Sequence, residues 1–159
     1  MKLEIYYDDR QDFIEITEEY KNIVKKTVET AMRIEKISKL PMYELSVSFV
    51  SNDEIKQLNN DYRQVDSETD VLSFPMDLVD EDLSELCETD ILEMGDIVLS
   101  TERIISQAEE LGHTQLRETS YLVAHSALHL MGYDHIAEED KKEMRKMEKE
   151  VMKELKIFK

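Results

Sequence analysis

The chain has 159 residues, of which 41% are hydrophobic, three are glycine and two are proline. Such a length and apolar fraction predict a single folded domain over residues 1–159 with a well-filled core, and they exclude a chain that is disordered throughout. A formal net charge of −17 argues against nucleic-acid binding by the whole surface, because such binding depends largely on cations that meet phosphates.

The N-terminal part of the chain predicts a strand and then a helix. Residues 1–13, MKLEIYYDDRQDF, contain no apolar run before charged residues appear, so we expect no signal peptide. Residues 3–8 are predicted to form the first strand. A helix is predicted to open at Thr17, because apolar side chains follow it at helical spacing: Tyr20, Val24, Val28 and Ala31. No stretch of the chain reaches the ~20 apolar residues of a membrane span, and we expect a cytoplasmic protein.

The next segment predicts a second strand and a short helix. Residues 43–51, YELSVSFVS, alternate between apolar and polar side chains, and this period of two predicts a half-buried strand. Ser51 is followed three residues later by Glu54, which is the pattern of a capping box at the start of a helix. The apolar side of that short helix is predicted to carry Ile55, Leu58 and Tyr62.

An acidic segment separates two further predicted strands. From residue 64 to residue 100 the chain has twelve Asp and Glu and no Lys or Arg, so this block carries −12 of the net charge of −17. Strands are predicted over residues 69–74 and 95–100. Residues 77–93 between them are predicted to be a surface loop or a weak helix. A helix over residues 101–111 is predicted to end at Gly112, since glycine is favoured after the last helical residue.

The C-terminal third predicts two helices. One begins at about Thr114, and its middle, residues 121–131, is apolar nearly all round, as expected of a helix buried inside a domain. Gly132 is predicted to end it. The last helix, residues 137–156, has a narrow apolar stripe of Met144, Met147, Val151 and Leu155. Together these elements predict an α+β fold with roughly four strands in one mixed sheet, covered by helices.

Three of the four histidines lie in the segment HSALHLMGYDH, residues 125–135. His125 and His129 are four residues apart and therefore share one face of a helix. Gly132 permits a sharp turn that carries His135 back toward them. Three neutral imidazoles with an open fourth position are typical of a catalytic zinc site. The pattern predicts one Zn²⁺, or another first-row divalent metal, per chain on the buried central helix.

Ser126 stands where a zinc peptidase of the H-E-x-x-H kind has its glutamate. A hydroxyl is a poor proton acceptor at neutral pH, so the missing carboxylate counts against a peptidase. The histidine spacing alone still leaves a zinc peptidase as an alternative. A metal that serves only folding, in a protein without catalytic activity, is a further alternative.

The chain resembles the YbeY family of bacterial rRNA maturation factors in several motifs. The family signature H-G-x-L-H-L-x-G-Y-D-H is matched by residues 125–135 at every defined place except Ser126, where glycine is usual. The motifs L-N-x-x-Y-R and T-D-V-L-S-F-P are matched within LNNDYRQVDSETDVLSFP, residues 58–75, and the G-D-I strand by residues 95–97. Two residues after Arg63 differ from the family pattern: Gln64 stands where glycine is usual, and Glu68 stands where proline is common.

The resemblance implies a metal-dependent endoribonuclease that cuts single-stranded RNA in 16S rRNA 3′-end maturation and ribosome quality control. It implies His125, His129 and His135 as zinc ligands and Arg63 as a catalytic residue. Phosphodiester cleavage places negative charge on non-bridging oxygens, which Zn²⁺ and a guanidinium would both stabilise. Attack by metal-bound hydroxide or by the 2′-hydroxyl of the RNA would then need no glutamate base.

Several polar residues have weaker cases for a role at this site. Asp134, Asp70 and Asp96 are candidates for orienting a ligand imidazole or, for Asp70, the arginine, and capping of a turn or strand is the alternative for each. Arg63, Arg103 and Arg117 are candidates for a small cationic patch at the cleft. The acidic charge also fits docking on basic proteins of the small ribosomal subunit, which would direct the enzyme to its rRNA or suit a non-catalytic assembly factor.

Overall fold

The computed structural model describes residues 2–37, 42–64, 69–76, 91–133 and 137–156, with only the backbone of Arg63. These residues form four strands and five helices, in the order β1 (Lys2–Asp9), α1 (Glu18–Ile34), β2 (Met42–Val50), α2 (Asn52–Arg63), β3 (Val71–Pro75), β4 (Ile91–Ser100), α3 (Thr101–Leu111), α4 (Gln115–Leu130) and α5 (Glu138–Leu155). None of the helices in the described ranges has both the length and the apolar character that a membrane span requires.

The strands form one mixed sheet in the order β1-β2-β4-β3. β1, β2 and β4 run parallel, and the short edge strand β3 runs antiparallel to β4. The predicted α+β architecture with four strands in one mixed sheet is therefore confirmed. Parallel strands need crossover connections, and α1 provides the one between β1 and β2.

A bulge interrupts the pairing of the two central strands. Glu44 lies opposite Glu93, but Leu45 lies opposite Gly95, so β4 has one extra residue at this point. Gly95 has a φ of 134°, and a Cβ atom on it would lie 2.1 Å from the carbonyl oxygen of Phe74 in β3. Only glycine fits here, because both the backbone angle and the close approach of β3 exclude a side chain.

Hydroxyl side chains cap the N-termini of three helices at the positions that the sequence predicts. Thr17, Ser51 and Thr114 each accept a hydrogen bond from a backbone N–H in the first turn of α1, α2 and α4. The capping box at Ser51 is only half formed, because the carboxylate of Glu54 instead accepts a hydrogen bond from Arg10. Gly112 follows α3 with a φ of 68°, which confirms the predicted end of that helix.

The core lies between the sheet and the helices α1, α4 and α5. The alternation of β2 is confirmed, since its apolar side chains are fully buried: Tyr43, Leu45, Val47 and Phe49. α4 contacts α1, α3, α5, β3 and β4, and it is therefore enclosed on most sides. A smaller apolar cluster on the other face of the sheet packs α2 against β3 and β4 through Val50, Ile55, Leu72 and Val98.

Three expectations need correction. β4 begins at Ile91, so residues 91–93 of the predicted acidic loop belong to a central strand, while residues 77–90 lie outside the described residues. Tyr62 was predicted on the apolar side of α2 but is 70% exposed, with its ring edge-on to Phe74. Tyr121 in α4 is 40% exposed, so that helix is not buried all round.

Candidate active site

α4 holds two histidine side chains next to each other, with one ring edge-on to the other. His125 and His129 are one helical turn apart, with ring centroids 4.7 Å apart and ring planes at 84°. Their Nε2 atoms are 3.2 Å apart. The rings therefore converge on one point beside the helix, as the i, i+4 spacing predicts. α4 is capped at one end by Thr114 and packed against the sheet, so the backbone that carries both rings is rigidly supported.

Glu148 of α5 orients the first of these rings. Its Oε1 atom lies 3.2 Å from Nδ1 of His125, and its Oε2 atom accepts a hydrogen bond of 3.0 Å from the hydroxyl of Tyr121. The residue is only 5% exposed, so its oxygen atoms find hydrogen-bond partners in these side chains rather than in bulk water. Burial, and then the neighbouring carboxylate, raise the pKa of Tyr121 to about 12, and its hydroxyl remains a donor at neutral pH.

A backbone carbonyl orients the second ring. Nδ1 of His129 lies 2.9 Å from the carbonyl oxygen of Tyr133, in the turn that follows α4. Gly132 makes this turn with a φ of 102°. The turn is tied to α1, since the hydroxyl of Tyr133 donates a hydrogen bond of 2.8 Å to Glu35. Burial and this hydrogen bond raise the pKa of Tyr133 to about 12.

These partners select the nitrogen that each ring presents to a ligand. A carboxylate and a carbonyl oxygen accept hydrogen bonds, so Nδ1 is the donor in both rings and Nε2 is the atom suited to bind a metal. A tetrahedral zinc ion with Zn–N distances of about 2.0–2.1 Å would separate two ligand nitrogens by about 3.3–3.4 Å. The observed Nε2–Nε2 distance of 3.2 Å fits two ligands of one ion.

The third predicted ligand, His135, and its neighbour Asp134 lie outside the described residues. Within the described ranges, no group of three or more His, Cys, Asp or Glu side chains is arranged to hold a metal ion. The structure therefore brings together two of the three predicted ligands.

Ser126 faces the sheet. It is fully buried, and its hydroxyl lies 2.7 Å from the hydroxyl of Ser73 in β3. This pairing satisfies a polar side chain that would otherwise be costly to bury. The Ser126 hydroxyl therefore lies in the contact between α4 and β3.

Asp70 immediately precedes β3 and lies beside α3 and α4. Its carboxylate accepts a hydrogen bond from Gln107, and its carbonyl oxygen accepts one from the backbone of Ser100. The carboxylate also acts on Glu118 of α4, which is 3% exposed. Burial and then the charge of Asp70 raise the pKa of Glu118, while Arg117 opposes this shift. Asp70 therefore places a second carboxylate near Glu118, at the N-terminal part of α4.

Asp96 lies on the opposite face of the sheet from α4. It pairs across the strands with Phe74, and cross-strand partners share a face. Phe74 packs with the cluster under α2, whereas the preceding residue, Ser73, contacts α4. Asp96 lines a cavity of about 390 Å³ there, together with Tyr62. The structure does not bring Asp96 to the histidine pair.

The predicted arginines are distributed over three helices. Arg63 is the last residue of α2, and the side chain of Arg63 lies outside the described part of the structure. Gln64 follows it with a φ of 57°. Arg103 is in the first turn of α3, where its Nε atom is buried without a hydrogen-bond partner among the described residues. Arg117 is in the first turn of α4.

Sequence reasoning missed Glu148, the residue that contacts His125. A signal for it exists, because Glu148 is four residues after Met144 and three before Val151, both of which are on the buried stripe of α5. A carboxylate at a core position of a helix requires a buried partner, and a histidine is a suitable one.

Comparison with known proteins gives matches over nearly the whole chain. A family model described as Endoribonuclease YbeY matches residues 6–156. The Endoribonuclease YbeY of Clostridium botulinum (strain 657 / Type Ba4) is 44% identical over 162 residues, which cover 94% of this chain and 96% of the relative. The same protein of strain Hall is 45% identical over 161 residues with the same coverage. The solution structure of TM1509 from Thermotoga maritima is 27% identical, with a TM-score of 0.53 over 96% of this chain and 91% of that one.

Proposed function

Because this chain belongs to the YbeY family of endoribonucleases, we propose that it is a metal-dependent endoribonuclease that cuts single-stranded RNA. The observation that carries the metal dependence is the pair of Nε2 atoms of His125 and His129, 3.2 Å apart, with each Nδ1 held by an acceptor. This arrangement suits a zinc ion or another first-row divalent metal. We also propose that residues 1–159 form one domain.

The chemistry follows from the charges at the site. His125, His129 and the third proposed ligand, His135, would hold the ion. A bound Zn²⁺ supplies a Lewis acid and a water molecule with a pKa of about 7. The guanidinium of Arg63 would stabilise the negative charge that develops on the non-bridging phosphate oxygens. The nucleophile is either water or the 2′-hydroxyl of the RNA.

The proposed substrate is the 3′ end of precursor 16S rRNA, with a role in ribosome quality control. A net charge of −17 fits docking on basic proteins of the small ribosomal subunit, which would bring the site to its RNA despite the repulsion between the two polyanions. Such a substrate places the enzyme in the cytoplasm, where the subunit assembles.

Two other functions use the same residues. A zinc peptidase needs a general base, but Ser126, at the position of the usual glutamate, is buried against Ser73. A non-catalytic assembly factor would use the metal only for folding, and it would bind the subunit without cutting RNA. Cleavage assays separate all three functions.

The test is cleavage of a small-subunit rRNA precursor with an unprocessed 3′ tail by the zinc-loaded protein. We expect cleavage by the wild type and a loss of at least about 100-fold in rate for His129→Ala and Arg63→Ala. His113→Ala, which removes the histidine between α3 and α4, is the matched control and should cut at the wild-type rate. The ends of the products identify the nucleophile, because attack by the 2′-hydroxyl leaves a 2′,3′-cyclic phosphate.

Each alternative function predicts its own result, either in this RNA cleavage assay or with a protein substrate. Equal cutting by the wild type and His129→Ala would identify a contaminating ribonuclease and leave the protein without demonstrated activity. No cutting by the wild type, even with small subunits present, would favour the assembly factor. Release of peptides from a denatured protein substrate would favour the peptidase.

A further inference from the structure

A cavity of about 260 Å³ lies between α4 and α5, directly beside His125. It is lined by Tyr121, His125, Lys141, Met144, Arg145 and Glu148. Two of these residues are cations, in a protein whose net charge is −17. Tyr121, His125 and Glu148 belong to the hydrogen-bonded arrangement described above, whereas Lys141, Met144 and Arg145 have no role in the proposed chemistry.

The geometry of α5 explains why these two cations face the site. Met144 and Glu148 are buried, so their side of the helix faces α4. Lys141 and Arg145 are one turn apart and adjacent to that buried side, which brings both to the rim of the cavity. The other basic residues in the middle of α5, Lys142, Lys146 and Lys149, are exposed and do not line it.

The charge on both side chains is available to a ligand. Glu148, the carboxylate inside the cavity, is engaged by His125 and Tyr121. Lys141 lies 3.7 Å from Glu138, whose side chain is 83% exposed, and such a pair is weak in water. Arg145 forms no ion pair with any carboxylate in the described part of the chain.

We propose that Lys141 and Arg145 form a subsite that binds an RNA phosphate next to the one being cleaved. The inference rests on the proposed function, since it takes His125 as the position of the scissile phosphodiester. A strand bound there continues on both sides, and its next phosphate needs a cation in a protein that otherwise repels RNA. The fork of Arg145 and the ammonium of Lys141 provide that cation on a packed helix.

The test is binding of a fluorescein-labelled, single-stranded 2′-O-methyl oligoribonucleotide, measured by fluorescence anisotropy at several salt concentrations. A gel run afterwards shows that the strand is intact. For Lys141→Gln/Arg145→Gln we expect about tenfold weaker binding at low salt. The slope of log K against log salt should become shallower by about 0.7, which corresponds to the loss of one phosphate contact on a single strand.

Two variants separate a phosphate subsite from a general effect of charge or of folding. Lys142→Gln/Lys146→Gln removes the same two charges from the exposed side of the same helix, and it should bind within about twofold of the wild type with an unchanged slope. Lys141→Arg/Arg145→Lys retains both charges and should retain most of the affinity. Thermal unfolding followed by circular dichroism confirms that all three variants are folded.

The outcomes distinguish this inference from the proposed function. Equal losses in Lys141→Gln/Arg145→Gln and Lys142→Gln/Lys146→Gln would overturn the subsite, because only net charge would then matter. Wild-type affinity in Lys141→Gln/Arg145→Gln would also overturn it, while leaving the nuclease proposal intact if the rRNA precursor is cleaved. A wild-type protein that neither binds nor cuts single-stranded RNA would remove both proposals together.

Discussion

Glu148 determines which nitrogen of His125 faces the candidate metal position. A neutral imidazole has one donor and one acceptor nitrogen, and a carboxylate at Nδ1 makes that nitrogen the donor. The hydroxyl of Tyr121 donates a hydrogen bond to the other carboxylate oxygen. Glu148 of α5 therefore contacts both Tyr121 and His125 of α4. The position of the ring therefore depends on a residue 23 positions away along the chain.

Loss of this carboxylate should weaken metal binding. We expect Glu148→Ala to bind zinc about 10–100-fold more weakly, because the ring of His125 would no longer be held with Nε2 toward the ion. Glu148→Gln retains an acceptor and should fall between Ala and the wild type. Competition with a chromophoric chelator gives the affinity, and the exposed Glu150→Gln on the same helix is the control. Unchanged affinity in Glu148→Ala would show that packing alone orients the ring.

Glu118 should make stability depend on pH. Burial raises the pKa of its carboxyl in the folded protein above the ordinary value, so the folded state holds this proton more tightly than the unfolded state does. The contribution of Glu118 to stability is then fully present below the unfolded pKa and is lost as pH rises through the folded pKa. Glu118→Gln should therefore gain stability relative to the wild type as pH rises above 4.5, the ordinary pKa of this carboxyl group. Urea unfolding at each pH measures the difference, and Glu110→Gln on the exposed side of α3 should show no such trend.

At the scale of secondary structure, two glycines differ in what surrounds them. Gly95→Ala should destabilise the protein by about 3–5 kcal/mol, because the new Cβ would meet the backbone of β3 at 2.1 Å and also adopt a φ of 134°. Gly132→Ala should cost only about 1–2 kcal/mol, since its φ is 102° but no atom of the described residues lies within 4 Å of the new Cβ. Urea unfolding curves give both values. Equal losses would mean that backbone angle, rather than contact with β3, decides the cost at Gly95.

Helix starts and the alternation of β2 could be predicted from the sequence because their causes are local. Thr17, Ser51 and Thr114 cap helices with their own hydroxyls, and a period of two in β2 identifies its buried face. The start of β4 could not be predicted, since Ile91 and Leu92 follow an acidic segment and are identified as a strand only by pairing with β2. The partner of His125 was missed for a similar reason, because a contact between α4 and α5 is not local.

At the scale of the whole molecule, the histidine pair links the proposed metal to folding. An ion that binds the folded state alone, present at about 100 times its dissociation constant, stabilises that state by about 2.7 kcal/mol. For a chain of this length we therefore expect zinc to raise the melting temperature by about 5–10 °C. A chelator should reverse the shift, His129→Ala should lack it, and His113→Ala should retain it. A shift of equal size in His129→Ala would place the ion elsewhere.

The position of α4 has a consequence for how the protein tolerates variation. The helix that carries the histidines is also the one enclosed by α1, α3, α5, β3 and β4, with Ala124, Ala127 and Leu128 fully buried beside them. A larger side chain at either alanine would move the helix and both rings with it. In a saturation mutagenesis screen for activity, intolerant positions should therefore follow the full length of α4, including residues that never approach RNA. The exposed side of α5, one helix away, should accept nearly any polar residue.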